Sequence, residues 1–312
     1  MKAVICTKYG APDVLQIENI EKPTPKDNEV LIKIVATTVH IGDTKIRSFK
    51  PGMGFIQDLL IKPIMRVMIG FRGPRKKILG MELAGDIEAV GKNVTLFKQG
   101  DKVFASSEFR FGTYAEYICL PENGLIAPLP KNVTYAEAAP ISNGAMTALL
   151  FLIKGKIQKG QKVLIYGASG SVGTFAVQLA KVFETNVTGV CSTTNIELVK
   201  SLGADKTIDY TQEDFTKNNE IYDIVFDAVG KLRSSRCKKS LKKEGVYLNV
   251  LSPSGLKLKV ENLLFLKELM EANKLRAVID RTYKLDQIVE AHRYVDEGHK
   301  KGNVVIMIKH ND

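Results

Sequence analysis

The sequence predicts an α/β chain in two parts: a partly closed antiparallel β-sheet or barrel, then a doubly wound parallel sheet flanked by helices. Three observations carry this. Short β-branched runs crowd the first third, strands and helices alternate from about Tyr135 onward, and a glycine-rich loop, Gly167–Gly173, joins one strand to one helix.

In the first third, "KAVICT", "EVLIKIVATTV", "GDIEAVG", "DKVFA" and "TYAEYICL" read as strands. Turn chemistry separates them at Tyr9-Gly10-Ala11-Pro12, Pro23-Thr24-Pro25, Gly91-Lys92-Asn93 and Gly100-Asp101. The stretch "YAEAAPISNGAMTALLFLIK" reads as helical with an interruption at Pro140. After it the pattern predicts strand 162–166, helix 171–183, strand 186–191, helix 195–202, strand 222–228, helix 231–241 and strand 245–250. Short links between such elements imply a parallel sheet with helices on both faces. In "LDQIVEAHRYVDEG", Leu285, Ile288, Val289, His292 and Val295 fall at helical spacing, and "GNVVIMIKH" reads as a strand returning to the first part.

With 312 residues, 45% of them hydrophobic, the chain is long enough for two domains. The N-terminus has no long apolar core, so no signal peptide is expected. The most apolar region, "GFIQDLLIKPIMRVMIGF", is interrupted by Asp58, Lys62, Pro63 and Arg66, so stable membrane insertion is not expected. The wider segment Phe49 to Lys77 has three readings: a roof over an apolar pocket, an amphipathic patch on a membrane surface, or ordinary packing against the barrel, the plainest of the three. Cys6, Cys119, Cys191 and Cys237 form no C-x-x-C pair, which argues against a disulfide scaffold or thiolate zinc cluster and for a reduced, cytoplasmic setting. The net charge of +11 reads as a lysine-rich solvated surface; nucleic-acid binding through "KLRSSRCKKSLKKEG" is the weaker reading.

The loop Gly167-Ala168-Ser169-Gly170-Ser171-Val172-Gly173 follows the apolar strand Val163–Tyr166. Glycines there let the backbone approach a pyrophosphate, and the next helix offers its N-terminal N–H groups. A carboxylate for a ribose 2′-hydroxyl would stand at the end of the second strand, but the tip reads Cys191, Ser192, Thr193, Thr194, Asn195. Hydroxyls tolerate a 2′-phosphate that an acid repels, so the expected cofactor is NADPH ahead of NADH. Lys200 and Tyr210 are the nearest phosphate partners; Ser192 and Thr193 also fit an ordinary helix N-cap.

The motifs "GDTKIRS", "GMELAGDIEAVGKNV", "KQGDKVFA", "GTYAEY", "KVLIYGASGSVGTFAVQLAK", "LGADKTIDYTQEDF", "YDIVFDAVG" and "YKLDQIVEAHRYVDEGHKKGNVVI" occur in this order. Together they resemble the zinc-independent medium-chain dehydrogenase/reductase superfamily, close to the quinone oxidoreductases and enone reductases. The resemblance implies a GroES-like substrate domain over 1–126 and 272–312, a Rossmann domain over 127–271, and an active site in the cleft between them. It also implies Thr147 near the nicotinamide and Ser169, Gly170, Ser171 and Val172 at the pyrophosphate. Ser192 and Tyr210 would lie near the adenosine phosphate, and Val229, Asn249 and Val250 beside the nicotinamide. Asn303 stands where relatives often carry Lys or His at the cofactor, and relatives often carry a basic residue near Thr194 or Asn195; both departures remove positive charge. A homodimer through edge strands of the Rossmann sheet is expected.

Zinc-dependent relatives hold their ion with an early cysteine, a Gly-His-Glu motif and a later cysteine or acid. Here those places read His40 and, in "GMELAG", Met81, a poor zinc ligand, so no metal is expected. Without zinc, or a tyrosine with a lysine four residues on, an unactivated alcohol is a hard substrate. A quinone or α,β-unsaturated carbonyl is already electrophilic, and positioning plus a few oriented donors would suffice. The candidates are His40, Asp43 through water, and Tyr114. His40 also reads as a core histidine, Asp43 as a turn residue and Tyr114 as packing. The reading is NADPH-dependent reduction of a small quinone or enone. Alternatives are a zinc-independent alcohol or aldehyde reductase and a non-catalytic NADPH-binding protein that contacts RNA or a partner through helix 231–243.

Overall fold

A computed structural model describes residues 1–50, 55–252 and 254–310. It divides into two compact units, residues 1–142 with 279–312, and residues 143–278.

The first unit opens with β1 (Lys2–Cys6), β2 (Leu15–Asn19) and β3 (Glu29–Thr38). Helices α1 (Ile41–Ser48) and α2 (Phe55–Ile69) follow, then β4 (Glu82–Val90), β5 (Lys102–Ser106), β6 (Tyr117–Pro121), β7 (Leu125–Pro128) and the one-turn α3 (Tyr135–Ala138). The second unit holds α4 (Gly144–Lys154), β8 (Lys162–Tyr166), α5 (Ser171–Val182), β9 (Asn186–Cys191), α6 (Ile196–Ser201) and β10 (Lys206–Asp209). It continues with β11 (Tyr222–Asp227), α7 (Ser234–Cys237), β12 (Leu241–Asn249) and α8 (Val260–Glu271). The chain then returns to the first unit with β13 (Ile279–Lys284), α9 (Ile288–Asp296) and β14 (Asn303–Met307).

Strand β3 is the spine of the first unit. It pairs antiparallel with β4, with β6 over its first half and with β14 over its last three residues. Val30, Ile32 and Ile34 alternate into a core shared with Leu83, Ile87, Val103, Val304 and Ile306. The second unit is a parallel sheet in the order β10-β9-β8-β11-β12. Its central strands are buried on both faces, with Val163, Leu164, Ile165, Ile224, Val225 and Phe226 all without exposure, as a sheet covered on both sides requires. Phe226 stacks on Phe151 of α4 at 5.3 Å.

The unit boundaries fall later than 126/127 and 271/272, for local reasons. The Tyr135 hydroxyl donates to Asp86 on β4 and the Ser142 hydroxyl to the Ala105 carbonyl on β5, which holds the chain through Ser142 to the barrel. Gln178 on α5 bonds both the N–H and the carbonyl of Arg276, which keeps the segment after α8 with the parallel sheet. The segment 231–241 is not one helix. It folds as α7 and a 3-10 turn, Lys238–Ser240, because only Leu232, Cys237 and Ser240 turn inward among exposed basic residues. Strand β12 therefore begins at Leu241, with an irregular register between Tyr222 and Ile224. Residues 51–54 of the Phe49–Lys77 segment lie outside the described residues.

Candidate active site and dinucleotide cradle

In the second unit, Gly167 and Ala168 both donate their N–H to the Val190 carbonyl at 3.0 Å, folding the end of β8 over β9. Gly167 has φ +79°, and a Cβ there would meet Val229 Cγ2 at 2.1 Å. Gly173 lets α5 press against the loop: its Cβ would lie 2.1 Å from the Gly167 carbonyl oxygen. Gly170, the N-cap of α5, offers no side-chain cap, and a Cβ there would meet nothing nearer than Gly167 O at 3.5 Å. The outer side of the loop is thus open above a twelve-residue helix whose dipole favours an anion there. Ala168 and Val172 are buried beneath it. This arrangement fits a dinucleotide pyrophosphate.

At the tip of β9, Asn195 Nδ2 donates to both Ser169 Oγ and Ser192 Oγ at 3.1 Å, tying the phosphate loop to the adenosine end. The Thr193 hydroxyl donates to Asp209, and Thr211 donates to the same carboxylate through its N–H and hydroxyl. These hydroxyls, Thr193 first, hold the Asp209 carboxyl below its ordinary range. No carboxylate follows β9 in sequence, but the pairing of Asp209 with Cys191 brings one from β10. Lys200 is paired instead with Glu197 on its own helix. Tyr210 is half exposed, its ring tilted on Tyr166. Both line a cavity of about 620 Å³ with Arg236, whose guanidinium pairs with Asp214 at 2.8 Å. Arg236 thus brings a basic residue to the cavity beside Tyr210.

Thr147 stands on α4, its hydroxyl 3.4 Å from Asn143 Oδ1. Asp227, fully buried at the end of β11, accepts the N–H groups of Val229, Gly230 and Leu232 and faces Asn249 Nδ2 at 3.4 Å; Val250 donates to its carbonyl. It shapes the loop holding Val229, Asn249 and Val250, and the sequence reading passed over it.

In the first unit, His40 caps α1: its Nδ1 accepts the Gly42 N–H at 3.0 Å. A proton on the neutral ring therefore sits on Nε2. Burial, then the charges of Lys300 and Lys45, push the His40 pKa down to about 4, so the ring is neutral at pH 7. A Cβ on Gly42 would lie 3.0 Å from His40 Nδ1 and 3.3 Å from Met81 Cε, so that glycine admits both side chains.

Asp43 and Tyr114 do not serve as groups that touch a substrate. Neither has any exposure, and the Tyr114 hydroxyl donates to Asp43 Oδ2 at 3.0 Å. The same carboxylate accepts the His40 N–H at 3.1 Å and the Gly80 N–H at 3.2 Å. Burial raises the Asp43 pKa to about 6 against those donors, and raises Tyr114 well above its ordinary value. The pair positions the His40 turn. Asn303 is likewise buried, in register with Ile279 at the start of β14, and does not present its side chain to solvent.

Lys300, in the turn before β14, is a group that the sequence pattern did not single out. Its Nζ donates to the Gly302 carbonyl at 2.6 Å. Burial lowers its pKa to about 8, while Glu82 and Asp280 pull it upward. Its charge acts on His40, and the Glu82 carboxylate, bonded by the Thr38 hydroxyl, acts on it. Among the described residues no three His, Cys, Asp or Glu side chains gather to hold a metal, and the thioether of Met81 is no substitute. The donor set does not fit a catalytic zinc. Each of the four thiols is pushed up to about 11 by burial, so none is a nucleophile near neutrality.

A family model described as the alcohol dehydrogenase GroES-like domain matches residues 26–131, and one described as zinc-binding dehydrogenase matches 171–273. The chain is 34% identical to a 2-methylene-furan-3-one reductase of Solanum lycopersicum, over 98% of this chain and 79% of that protein. The chain belongs to the medium-chain dehydrogenase/reductase superfamily. Within that superfamily it is also similar to an NADPH-dependent alkenal/one oxidoreductase of Arabidopsis thaliana, at 32% identity over 98% of this chain and 79% of the other. Among solved structures it is similar to the quinone oxidoreductase from Coxiella burnetii, with a TM-score of 0.82, 27% identity and 99% of each chain covered. The superfamily's GroES-like domain accounts for the barrel and its Rossmann domain for the parallel sheet.

Proposed function

We propose that this chain is an NADPH-dependent, zinc-independent oxidoreductase that reduces a small quinone or α,β-unsaturated carbonyl. The observation that carries the reading is the open face at Gly170, a cradle with room for a pyrophosphate, in a chain that has Met81 at a zinc-ligand position. The similarity to an enone-type reductase and an alkenal/one oxidoreductase supports the substrate class.

A bound dinucleotide supplies hydride from its nicotinamide. The chain's own residues hold and polarise. The Gly167–Gly173 loop would take the pyrophosphate. Ser192, with Tyr210 and Arg236 nearby, would take the adenosine phosphate. Thr193 and Thr211 occupy the Asp209 carboxylate and keep it ionised, so its charge counts against a 2′-phosphate, and Arg236 would supply the opposing charge. Hydride added to an enone leaves negative charge on the carbonyl oxygen. Neutral His40, with Nε2–H as donor, and the Lys300 ammonium are the groups suited to stabilise it. Lys300, with a pKa near the operating pH, can also return a proton. We place the protein in a reducing, cytoplasmic setting, as a homodimer paired along β12, an edge of the parallel sheet.

The test is steady-state turnover by the purified chain with NADPH and NADH against a para-quinone, an enone and a saturated aldehyde, before and after chelation. Quinone or enone reduction with NADPH, unchanged by chelator, is expected. Faster turnover of the saturated aldehyde would move the assignment to an alcohol or aldehyde reductase, and NADPH binding without turnover to a non-catalytic protein. Light scattering on the same sample reads the dimer.

A further inference from the structure

The C-terminal part of α2 and the turn behind it carry exposed apolar side chains. Ile64, Val67, Met68 and Phe71 are 58%, 59%, 73% and 61% exposed. Ile64, Val67 and Met68 are three and four residues apart on one side of α2, and Phe71 follows in the turn after Ile69. This departs from the plain packing reading of the segment. Around them stand Lys62, Arg66, Arg72, Arg75, Lys76 and Lys77, with no Asp or Glu anywhere in 62–77. All but Lys62 are exposed.

The patch is anchored firmly. The Tyr9 hydroxyl donates to the Gly70 carbonyl at 2.8 Å, Cys6 N–H donates to the Lys77 carbonyl at 2.7 Å, and a Cβ on Gly73 would strike the Thr7 carbonyl at 2.1 Å. Arg66 Nη1 donates to the Phe71 carbonyl at 2.9 Å, fastening the turn that follows α2.

We infer that residues 62–77 form a peripheral docking surface for an anionic lipid bilayer. The apolar quartet would enter the headgroup boundary and the flanking cations would meet anionic headgroups. Apolar side chains on one helix face with cations flanking them and no acids are what such a surface requires; a protein partner would need its own compensating acids and carries no support here. The inference does not depend on the reaction.

The test is flotation of the full chain with vesicles of phosphatidylcholine alone or with 30% phosphatidylserine (about that of a strongly anionic leaflet). Binding to the anionic vesicles is expected, at least tenfold weaker on neutral ones and in high salt. Met68→Asp with Phe71→Asp should lower binding at least tenfold while NADPH oxidation stays unchanged, and Met68→Leu with Phe71→Leu should retain it. Arg72→Gln and Lys76→Gln should each lower the partition coefficient about fivefold. No flotation on anionic vesicles, or equal flotation of the double aspartate variant, overturns the inference. So does a wild-type oligomer that the aspartate variant splits into monomers without lipid, which would assign the face to a second copy of this chain.

Discussion

The Tyr114 hydroxyl donates to the Asp43 carboxylate across 3.0 Å, and both side chains are sealed from solvent. The Asp43 pKa, about 6, lies above its unfolded value, so this group favours folding most in acid and loses that contribution as pH rises through 4 to 6. Above that window the charge depends on its three donors. Tyr114→Phe removes one of them. We expect a loss of about 1.5–3 kcal/mol at pH 8 and a smaller loss at pH 5, read from denaturant melts of both proteins. Turnover per folded molecule should fall only a few fold.

Lys300 gives a kinetic signature. If its ammonium stabilises the developing oxyanion, kcat/KM declines above about pH 8, where the amine loses its proton. Lys300→Met should lower kcat about 100-fold and abolish that alkaline limb. Lys300→Arg should recover part of the rate with no limb below pH 10. A wild-type profile flat to pH 10 would exclude the role.

Two glycines in the cradle separate folding from cofactor binding. Gly173→Ala drives a methyl into the Gly167 carbonyl and should cost about 1–3 kcal/mol of stability along with dinucleotide affinity. Gly170→Ala meets no protein atom closer than 3.5 Å, so its thermal melt should match wild type while its Kd for NADPH, from fluorescence titration, rises at least tenfold.

His292 on α9 is fully buried, edge-on to Tyr114, and neither ring nitrogen has a hydrogen-bond partner among the described residues. Burial, then the nearby Arg47 charge, pushes its pKa down to about 3. The folded state binds fewer protons than the unfolded one, so stability is lost as pH falls below about 6.5. His292→Phe removes this liability. Its stability relative to wild type should be about 2 kcal/mol better at pH 5 than at pH 8, by urea denaturation.

Apolar continuity made much of the fold legible. Strands 162–166 and 186–191 coincide with β8 and β9 because Val163–Ile165 and Val187–Cys191 are buried runs bounded by Gly, Lys and Asn. The helix expected at 231–241 was not recoverable in the same way. Its residues are basic and outward-facing, and only two single turns form. In the site, the phosphate loop was readable because its chemistry is local. Asp209, Arg236 and Lys300 were not, because strand pairing and chain reversal bring each of them to its neighbours across gaps that spacing cannot reveal. Asp43 and Tyr114 were each legible as candidate donors, but only the structure shows their hydrogen bond and their burial.

The interrupted first unit has a consequence for synthesis. The last three residues of β3 wait for their outer partner on β14, more than two hundred residues downstream. On the ribosome, the inserted parallel-sheet unit can complete its own contacts while the earlier strands remain without their last neighbour. A nascent chain released before Val305 would therefore carry a finished nucleotide fold beside an open, adhesive sheet, the species that a chaperone is built to hold.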